Sequence, residues 1–105
     1  NQLYAALDLI KQDPFTRRAY ISHYHLDELN RYSVDTPCNT GLTFYQYDSK
    51  LNLTINARSI DLWYGFTNDI YCFGKLLQDA SKYLNLKVGK LGYFITNLHL
   101  YDNKL

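Results

Sequence analysis

Hydrophobic positions along the chain recur first at helical spacing and later with the alternation typical of β-strands. In the first part of the sequence, apolar residues three and four positions apart predict a helix over residues 2–12. Asp13-Pro14 ends this helix, because the residue before a proline is disfavoured in the α conformation. The aromatic and β-branched run 19–24 then predicts a strand, and the polar run 27–32 predicts a turn or a short helix.

The middle of the chain carries the pattern of a β-hairpin. Residues 42–47 and 51–56 are rich in aromatic, β-branched and leucine side chains, and they flank Asp48-Ser49-Lys50. Aspartate and serine are common in tight turns, because their side chains hydrogen-bond to the neighbouring backbone. The two runs are therefore predicted to pair as antiparallel strands across this turn.

A second helix and a last strand are predicted in the remaining sequence. Thr67 is a suitable N-cap for a helix whose apolar stripe follows the spacing of helical turns. The stripe consists of Ile70, Phe73, Leu76, Leu77, Ala80 and Tyr83. Residues 91–101 alternate in polarity and predict a final strand. This order of elements predicts one α+β domain over residues 1–105, with a mixed, largely antiparallel sheet packed against helices.

The composition of the chain argues against several kinds of binding partner. The 105 residues include 11 basic and 10 acidic side chains, so no polycationic surface favours direct binding of nucleic acid or of an anionic membrane. No apolar run is long enough to span a bilayer. Cys38 and Cys72 lie in different contexts and allow at most one disulfide, which favours a reduced, intracellular chain. Any bound anion must then be held by a few placed arginines.

Cys38 is the candidate nucleophile. A thiolate attacks electron-poor carbon well, and nearby guanidinium groups stabilise it. A buried structural cysteine is the ordinary alternative for a lone cysteine in a strand. Cys72 lies at the margin of the apolar helix stripe without a basic neighbour, so we keep the structural interpretation for it.

Three arginines and a serine are candidates for binding a phosphate. Arg17-Arg18 precedes the first predicted strand, and Arg58-Ser59 follows the hairpin. Forked guanidinium groups and a hydroxyl suit phosphate oxygens. Solvated surface charges are the alternative. That alternative is weaker for Arg58, which ends an otherwise alternating strand.

Other polar residues have both a functional and an ordinary explanation. Asp69 falls in the first turn of the second helix, where the helix dipole favours an acid whatever the function. His99 and Tyr101 share a face of the last strand, where they could bind a hydroxyl group or simply pack at a sheet edge. His23 and His25 also share a face, but no third ligand accompanies them, so no metal site is predicted.

The order and spacing of these residues resemble those of the thymidylate synthase superfamily. The gap of 20 positions between Cys38 and Arg58 matches the spacing in that family. Four short motifs carry the resemblance across nearly the whole chain: Pro14-Phe15-Thr16-Arg17-Arg18, Pro37-Cys38, Arg58-Ser59-Ile60-Asp61 and His99-Leu100-Tyr101. The resemblance implies a thymidylate synthase-like fold, of which this chain is expected to be an incomplete portion.

The resemblance also implies how a nucleotide is held. Arg58 and Ser59 would bind the phosphate of a pyrimidine deoxynucleoside monophosphate. Arg17 and Arg18 would reach the phosphate bound by the partner in a homodimer whose active sites are shared between subunits. Each subunit would then depend on the other for substrate binding.

The remaining motif residues would act on the sugar, the base and the cofactor. His99 and Tyr101 would hold the sugar hydroxyl, and Asp61 would lie on the folate side. Cys38 would add to C6 of the base, so that C5 accepts the one-carbon unit of 5,10-methylenetetrahydrofolate.

Two departures from the synthases bear on the choice of base. Asn39 stands where the synthases usually have a histidine, and Asp69 in Gly65-Phe66-Thr67-Asn68-Asp69 stands where they have the asparagine that reads uracil. A carboxylate accepts a hydrogen bond from the N4 amino group of cytosine, whereas an amide suits O4 and N3–H of uracil. Asp69 therefore predicts cytosine, and the string resembles phage deoxycytidylate hydroxymethylases.

The expected activity is folate-dependent 5-hydroxymethylation of dCMP, completed by water rather than by a hydride. Two alternatives stay open. One is reductive methylation of dUMP by a thymidylate synthase, and the other is a non-catalytic nucleotide-binding or structural module with a truncated fold of this type. The expected location is the cytoplasm, which the hydroxymethylase resemblance extends to that of a phage-infected bacterial host.

Overall fold

Two helices and four strands make up the part of the chain described by the computed structural model, residues 2–22 and 38–100. In chain order the elements are helix α1 (Gln2–Gln12), strands β1 (Tyr20–Ser22), β2 (Asn39–Tyr47) and β3 (Lys50–Asp61), a π-helical turn (Leu62–Phe66), helix α2 (Thr67–Leu84) and strand β4 (Lys87–His99). The predicted helix over residues 2–12 is confirmed. The run 27–32 and the histidines at 23 and 25 lie outside the described residues.

The strands form one sheet in the order β1-β2-β3-β4. β1 pairs with β2 and β2 with β3 in antiparallel fashion, whereas β4 runs parallel to β3. This topology confirms the predicted α+β class with a mixed, largely antiparallel sheet. Because β2 begins where β3 and β4 end, residues 38–40, 57–61 and 95–99 meet at one end of the sheet. We call this region the site end.

The hairpin between β2 and β3 turns at Asp48 and Ser49, in agreement with the prediction. Both residues have positive φ angles, 56° and 60°. A two-residue turn of this kind has the twist that antiparallel strands require. The second strand is longer than predicted, since β3 continues to Asp61. Arg58 therefore lies within a strand and not at its end.

Both helices pack on the same face of the sheet. The core between helices and sheet consists of Ala6, Leu7, Ile10, Ala19, Ile21, Leu42, Phe44, Leu51, Leu53, Ile55, Leu77 and Ala80. Burial of the predicted α2 stripe is confirmed in its second half, at Leu77 and Ala80. Ile70 and Tyr83 at the stripe's two ends are 40 % and 39 % exposed, because only the middle of the stripe faces the core. Neither of these two helices is long and apolar enough to cross a membrane.

The start of α2 differs from the prediction. Thr67 already has helical backbone angles, φ −63° and ψ −43°, and it follows the π-helical turn without a break. Phe66 takes the N-cap position and offers no side-chain hydrogen bond. The predicted Thr67 cap is therefore wrong. Because the turn runs directly into the helix, its carbonyl groups accept the hydrogen bonds that a capping side chain would otherwise accept.

Candidate active site

A β-bulge at the start of β2 determines which residue lies opposite Cys38. Gly41 pairs with Asn56, and this register, continued without interruption, would set Cys38 against Ser59. One extra residue in β2 shifts the pairing by one position. The Arg58 amide therefore donates a 2.9 Å hydrogen bond to the Cys38 carbonyl, and the arginine lies beside the cysteine.

Thr40 is the residue that the bulge adds to β2. Its position falls between the pairs that Asn39 and Gly41 make with β3, and its hydroxyl donates to the Asn56 carbonyl at 3.2 Å. This side-chain hydrogen bond ties the irregular part of β2 to β3. Asn39, a predicted base-binding residue, is half-buried beside the bulge and directly follows the cysteine.

The Cys38 thiol is exposed and faces the guanidinium group of Arg58. Nη2 of Arg58 lies 3.9 Å from Sγ of Cys38, within the range of a weak N–H···S hydrogen bond. This contact places a positive charge beside the sulfur, and the deprotonated form of a thiol is its nucleophilic form. The alternative of a buried structural cysteine is wrong for Cys38. It is also wrong for Cys72, which is exposed on α2 because it lies beside the apolar stripe and not within it.

Ser59 and His99 meet at the site end although they are 40 positions apart. Oγ of Ser59 is 3.4 Å from Nδ1 of His99, and Oδ1 of Asn97 is 3.2 Å from the same nitrogen. Parallel pairing of β3 with β4 produces these contacts, since Ser59 pairs with Asn97 and Asp61 with His99. The two contacts orient the imidazole ring. Tyr101, its predicted companion in sugar binding, lies outside the described residues.

Asp61 ends β3 and caps the π-helical turn. Its Oδ1 accepts a hydrogen bond from the Trp63 amide at 3.2 Å, and its Oδ2 accepts one from the Tyr64 amide at 3.0 Å. Each carboxylate oxygen has a second acceptor site. The capping role is therefore compatible with the folate-side role, which stays a prediction.

Replacing Asp61 by alanine should lower the free energy of unfolding by about 1–2 kcal/mol, because two backbone N–H groups lose their acceptor. Urea-induced unfolding measures this change. Asp79→Ala serves as the control, since Asp79 is an exposed carboxylate within α2. Equal destabilisation in both variants would contradict the capping role.

Asp69 lies in the first turn of α2, as predicted. Phe73, one turn further along the helix, contacts Tyr93 of β4 with 6.5 Å between ring centroids, and Phe66 contacts the same ring at 5.6 Å. Burial raises the pKa of Tyr93, with smaller contributions from the Asp69 carboxylate and from Cys72, and together they bring it to about 12. Asp69 therefore lies within electrostatic reach of a shielded hydroxyl group.

Arg17 and Arg18 lie away from this cluster within one chain. Both are exposed in the loop between α1 and β1. The end of that loop adjoins the middle of β2, where the Phe44 amide donates to the Ala19 carbonyl at 2.9 Å. Six positions of extended strand separate Phe44 from Cys38, which corresponds to roughly 20 Å. Their predicted action on a partner's phosphate stays a prediction.

Three residues with contacts near the site were not anticipated from the sequence: Thr40, Asn97 and Tyr93. Asn97 is two positions from His99, so the alternation of strand faces could have identified it. The bulge at Thr40 and the surroundings of Tyr93 depend on segments that are distant in sequence. No local pattern marks either of them.

Comparison with known proteins agrees with this geometry. A family model described as thymidylate synthase matches residues 1–105. The chain belongs to the thymidylate synthase family. The crystal structure of thymidylate synthase from phage T4 is similar to this chain, with a TM-score of 0.89 and 30 % sequence identity. The similarity covers 98 % of this chain and 36 % of that chain, so the sequence spans about a third of the phage protein's length.

Three of the four motifs expected of the thymidylate synthase family contribute residues to the site end. They provide a thiol beside a guanidinium group, a hydroxyl beside an imidazole, and a carboxylate at the start of the π-helical turn. This combination suits binding of an anion and attack on an electron-poor ring. The described residues include no group of three or more His, Cys, Asp and Glu that could hold a metal ion. The closer resemblance to deoxycytidylate hydroxymethylases rests on the motif that contains Asp69 and stays a prediction.

Proposed function

We propose that this chain forms part of an enzyme that hydroxymethylates C5 of dCMP with methylenetetrahydrofolate as the one-carbon donor. The observation that carries the proposal is the Cys38 thiol 3.9 Å from Nη2 of Arg58, with the Ser59–His99 pair at the same end of the sheet. Membership of the thymidylate synthase family supports one-carbon transfer to a nucleotide. The choice of cytosine rests on Asp69.

The phosphate of the nucleotide binds to Arg58 and Ser59 in this proposal. An arginine carries five N–H donors in a fixed fork, so one N–H can face the thiolate while others bind phosphate oxygens. His99 and Tyr101 bind the sugar hydroxyl. The base is then held between the thiol and the start of α2, where Asp69 accepts a hydrogen bond from the N4 amino group.

The covalent step begins when the Cys38 thiolate adds to C6 of the base. This addition breaks the C5–C6 double bond, and its electron pair makes C5 nucleophilic. Methylenetetrahydrofolate, when bound, supplies a one-carbon unit at the oxidation level of formaldehyde. C5 gains the new carbon and loses its proton, and the bond between that carbon and the folate nitrogen breaks, which would release tetrahydrofolate. Water then adds to the exocyclic methylene group left on C5, and cleavage of the C6–S bond restores the double bond and frees the thiol. Water supplies the hydroxyl group, so the net reaction needs no oxidant or reductant.

The residues around the π-helical turn fit a flat ligand of the folate class. Trp63 and Tyr64 are each 60 % exposed and lie two and three positions after Asp61. Aromatic faces suit stacking against a fused ring, and the second acceptor sites of the carboxylate suit ring N–H groups. Among the residues that the structure describes, these three would hold the folate.

Tritium release from C5 tests the proposal. The full-length protein is incubated with methylenetetrahydrofolate and with dCMP or dUMP that carries tritium at C5. We expect release from dCMP to be at least about tenfold faster, since the site's acceptor matches the N4 amino donor. Faster release from dUMP would contradict the cytosine assignment. Nucleotide binding without release from either compound would favour a non-catalytic module.

Reductive methylation of dUMP is the second candidate, and the similarity to thymidylate synthase from phage T4 favours it. That reaction takes a hydride from the folate and leaves dihydrofolate, whereas hydroxymethylation leaves tetrahydrofolate. Absorbance distinguishes the two folates during turnover. Dihydrofolate in an amount equal to the nucleotide product would make the second candidate the correct one.

A homodimer with shared active sites is also part of the proposal. The sheet face opposite the helices exposes Tyr20, Tyr45 and Phe94, and 70 % of the Phe94 side chain is accessible. Exposed aromatic residues on one face favour a protein interface. Arg17 and Arg18 lie far from Cys38 of the same chain, which agrees with a role in the active site of the partner across that interface. Sedimentation equilibrium at micromolar concentration should give twice the chain mass, and a monomer would contradict this part of the proposal.

A further inference from the structure

The Tyr93 hydroxyl is shielded from solvent but hydrogen-bonds to no residue that the structure describes. Tyr93 pairs with Ile55 in the sheet and turns its ring toward α2, where the rings of Phe66 and Phe73 contact it. A buried hydroxyl without a partner destabilises the folded protein, because it has lost its hydrogen bonds to water. Such groups are rare in folded proteins, and each calls for an explanation.

The surroundings of this hydroxyl indicate its partner. Asp69 lies one helical turn before Phe73, whose ring contacts Tyr93, so both residues share the helix face that looks toward the tyrosine. Asp69 and Cys72, both on α2, are also the groups whose charges help to raise the pKa of Tyr93. Its contacts from the π-helical turn and from β3, Phe66 and Ile55, are apolar. Because burial and these two groups keep the pKa of Tyr93 near 12, the hydroxyl stays protonated and can donate at any ordinary working pH. Of the two groups on α2, the carboxylate is the stronger acceptor.

We propose that Tyr93 is a positioning residue for Asp69. In the nucleotide complex its hydroxyl donates a hydrogen bond to one carboxylate oxygen, so that the other oxygen accepts from the N4 amino group of cytosine. The base would displace water from a carboxylate that is only partly exposed in the free chain, and a desolvated carboxylate needs new donors. This inference rests on the proposed function and extends base recognition from one acid to a pair of residues.

The pair sharpens discrimination against uracil. A carboxylate held by a donor acts as an acceptor only, and O4 of uracil is also an acceptor. No hydrogen bond can form between two acceptors that face each other, and this disfavours the binding of uracil. Without the hydroxyl, Asp69 is free to turn away from O4. Tyr93 thereby affects the choice of base without contacting the base.

Tyr93→Phe removes only the hydroxyl and keeps the ring contacts. We expect the ratio of the dUMP to the dCMP dissociation constant, measured by calorimetry on the full-length protein, to fall about fivefold to tenfold. The melting temperature of the free protein should stay the same or rise, since an unpaired buried hydroxyl is lost. The matched control is Tyr83→Phe, which removes a hydroxyl that donates to Oδ1 of Asp8 at 2.7 Å. The control should lower the melting temperature and leave the ratio unchanged.

Double-mutant cycles identify the acceptor of this hydrogen bond. In an Asp69→Asn background, Tyr93→Phe should change the ratio by less than about twofold, and in a Cys72→Ala background its full effect should remain. The proposal is overturned if Tyr93→Phe keeps its full effect in the Asp69→Asn background and loses it in the Cys72→Ala background. An unchanged ratio of dissociation constants in the single Tyr93→Phe variant also overturns it. A wild-type protein that does not prefer dCMP overturns the cytosine assignment and Tyr93's role with it. A wild-type preference that survives Tyr93→Phe overturns only the role of Tyr93.

Discussion

Replacing Cys38 by serine should abolish tritium release from C5 of dCMP. Serine has nearly the same shape, but its hydroxyl is not ionised at neutral pH. An ordinary thiol, in contrast, is present as the nucleophilic thiolate to a few per cent at this pH. The Arg58 guanidinium lies 3.9 Å from the sulfur and places a positive charge beside the nucleophile. We expect a loss of about 10³-fold or more in release rate, in line with the removal of nucleophiles from other enzymes.

Nucleotide binding should survive the same substitution. The proposed contacts to the phosphate and sugar come from Arg58, Ser59 and His99, so the dissociation constant for dCMP should change by less than about threefold. Cys72→Ser is the matched control, because Cys72 is also an exposed thiol but lies on α2 and belongs to none of the motifs of the site end. That variant should release tritium at the wild-type rate. Normal release by the Cys38 variant would remove Cys38 from the mechanism.

Elements with local causes could be predicted from the sequence with few errors. The bounds of α1 follow from the spacing of its apolar residues and from Asp13-Pro14, and the observed helix ends where the prediction ends it. The turn of the hairpin follows from Asp48 and Ser49 for the same reason, since turn chemistry is a property of adjacent residues. No information about the rest of the fold is needed for either element.

Boundaries that depend on distant segments could not be predicted. β4 begins at Lys87 and not at residue 91, because its first residues pair with the start of β3, which no pattern within β4 records. The cap of α2 was assigned to Thr67, whereas Asp61 caps the π-helical turn that leads into the helix. A π-helical turn has no distinct hydrophobic period, so the sequence offered only the more familiar N-cap.

In the site, too, some features follow from the local sequence and others depend on segments that are distant in the chain. The spacing from Cys38 to Arg58 indicated that the two residues act together, but their contact depends on the bulge at Thr40. Without the bulge, Cys38 would lie opposite Ser59. Motif spacing therefore predicted that Cys38 and Arg58 act together, and the pairing of β2 with β3 supplied the geometry of their contact. The role proposed for Tyr93 escaped prediction because it rests on a hydroxyl that hydrogen-bonds to none of the described residues, which only the packed structure reveals.

Asp69→Asn should reverse the base preference from dCMP to dUMP. The amide can donate to O4 and accept from N3–H of uracil, and it loses the charge-assisted bond to the N4 amino group of cytosine. Two hydrogen bonds change together, so the ratio of the two dissociation constants should shift by about 100-fold or more. Calorimetric titration with dCMP and with dUMP measures the shift. A proportional loss of affinity for both nucleotides would show that Asp69 does not read the base.

The helix dipole offers a competing explanation for Asp69, and one further variant separates the two. An acid in the first turn of a helix stabilises it by about 0.3–1 kcal/mol, so Asp69→Asn should also lower the stability of the free protein. Asn68 is the neighbouring residue in the same turn and is exposed. The double substitution Asn68→Asp with Asp69→Asn moves the acid by one position, which restores the dipole interaction and leaves an amide at the base-reading position. We expect stability to return to the wild-type value while the preference for dUMP persists. Recovery of the dCMP preference in the double variant would mean that the charge at the start of α2, and not the aim of one carboxylate, sets the choice of base.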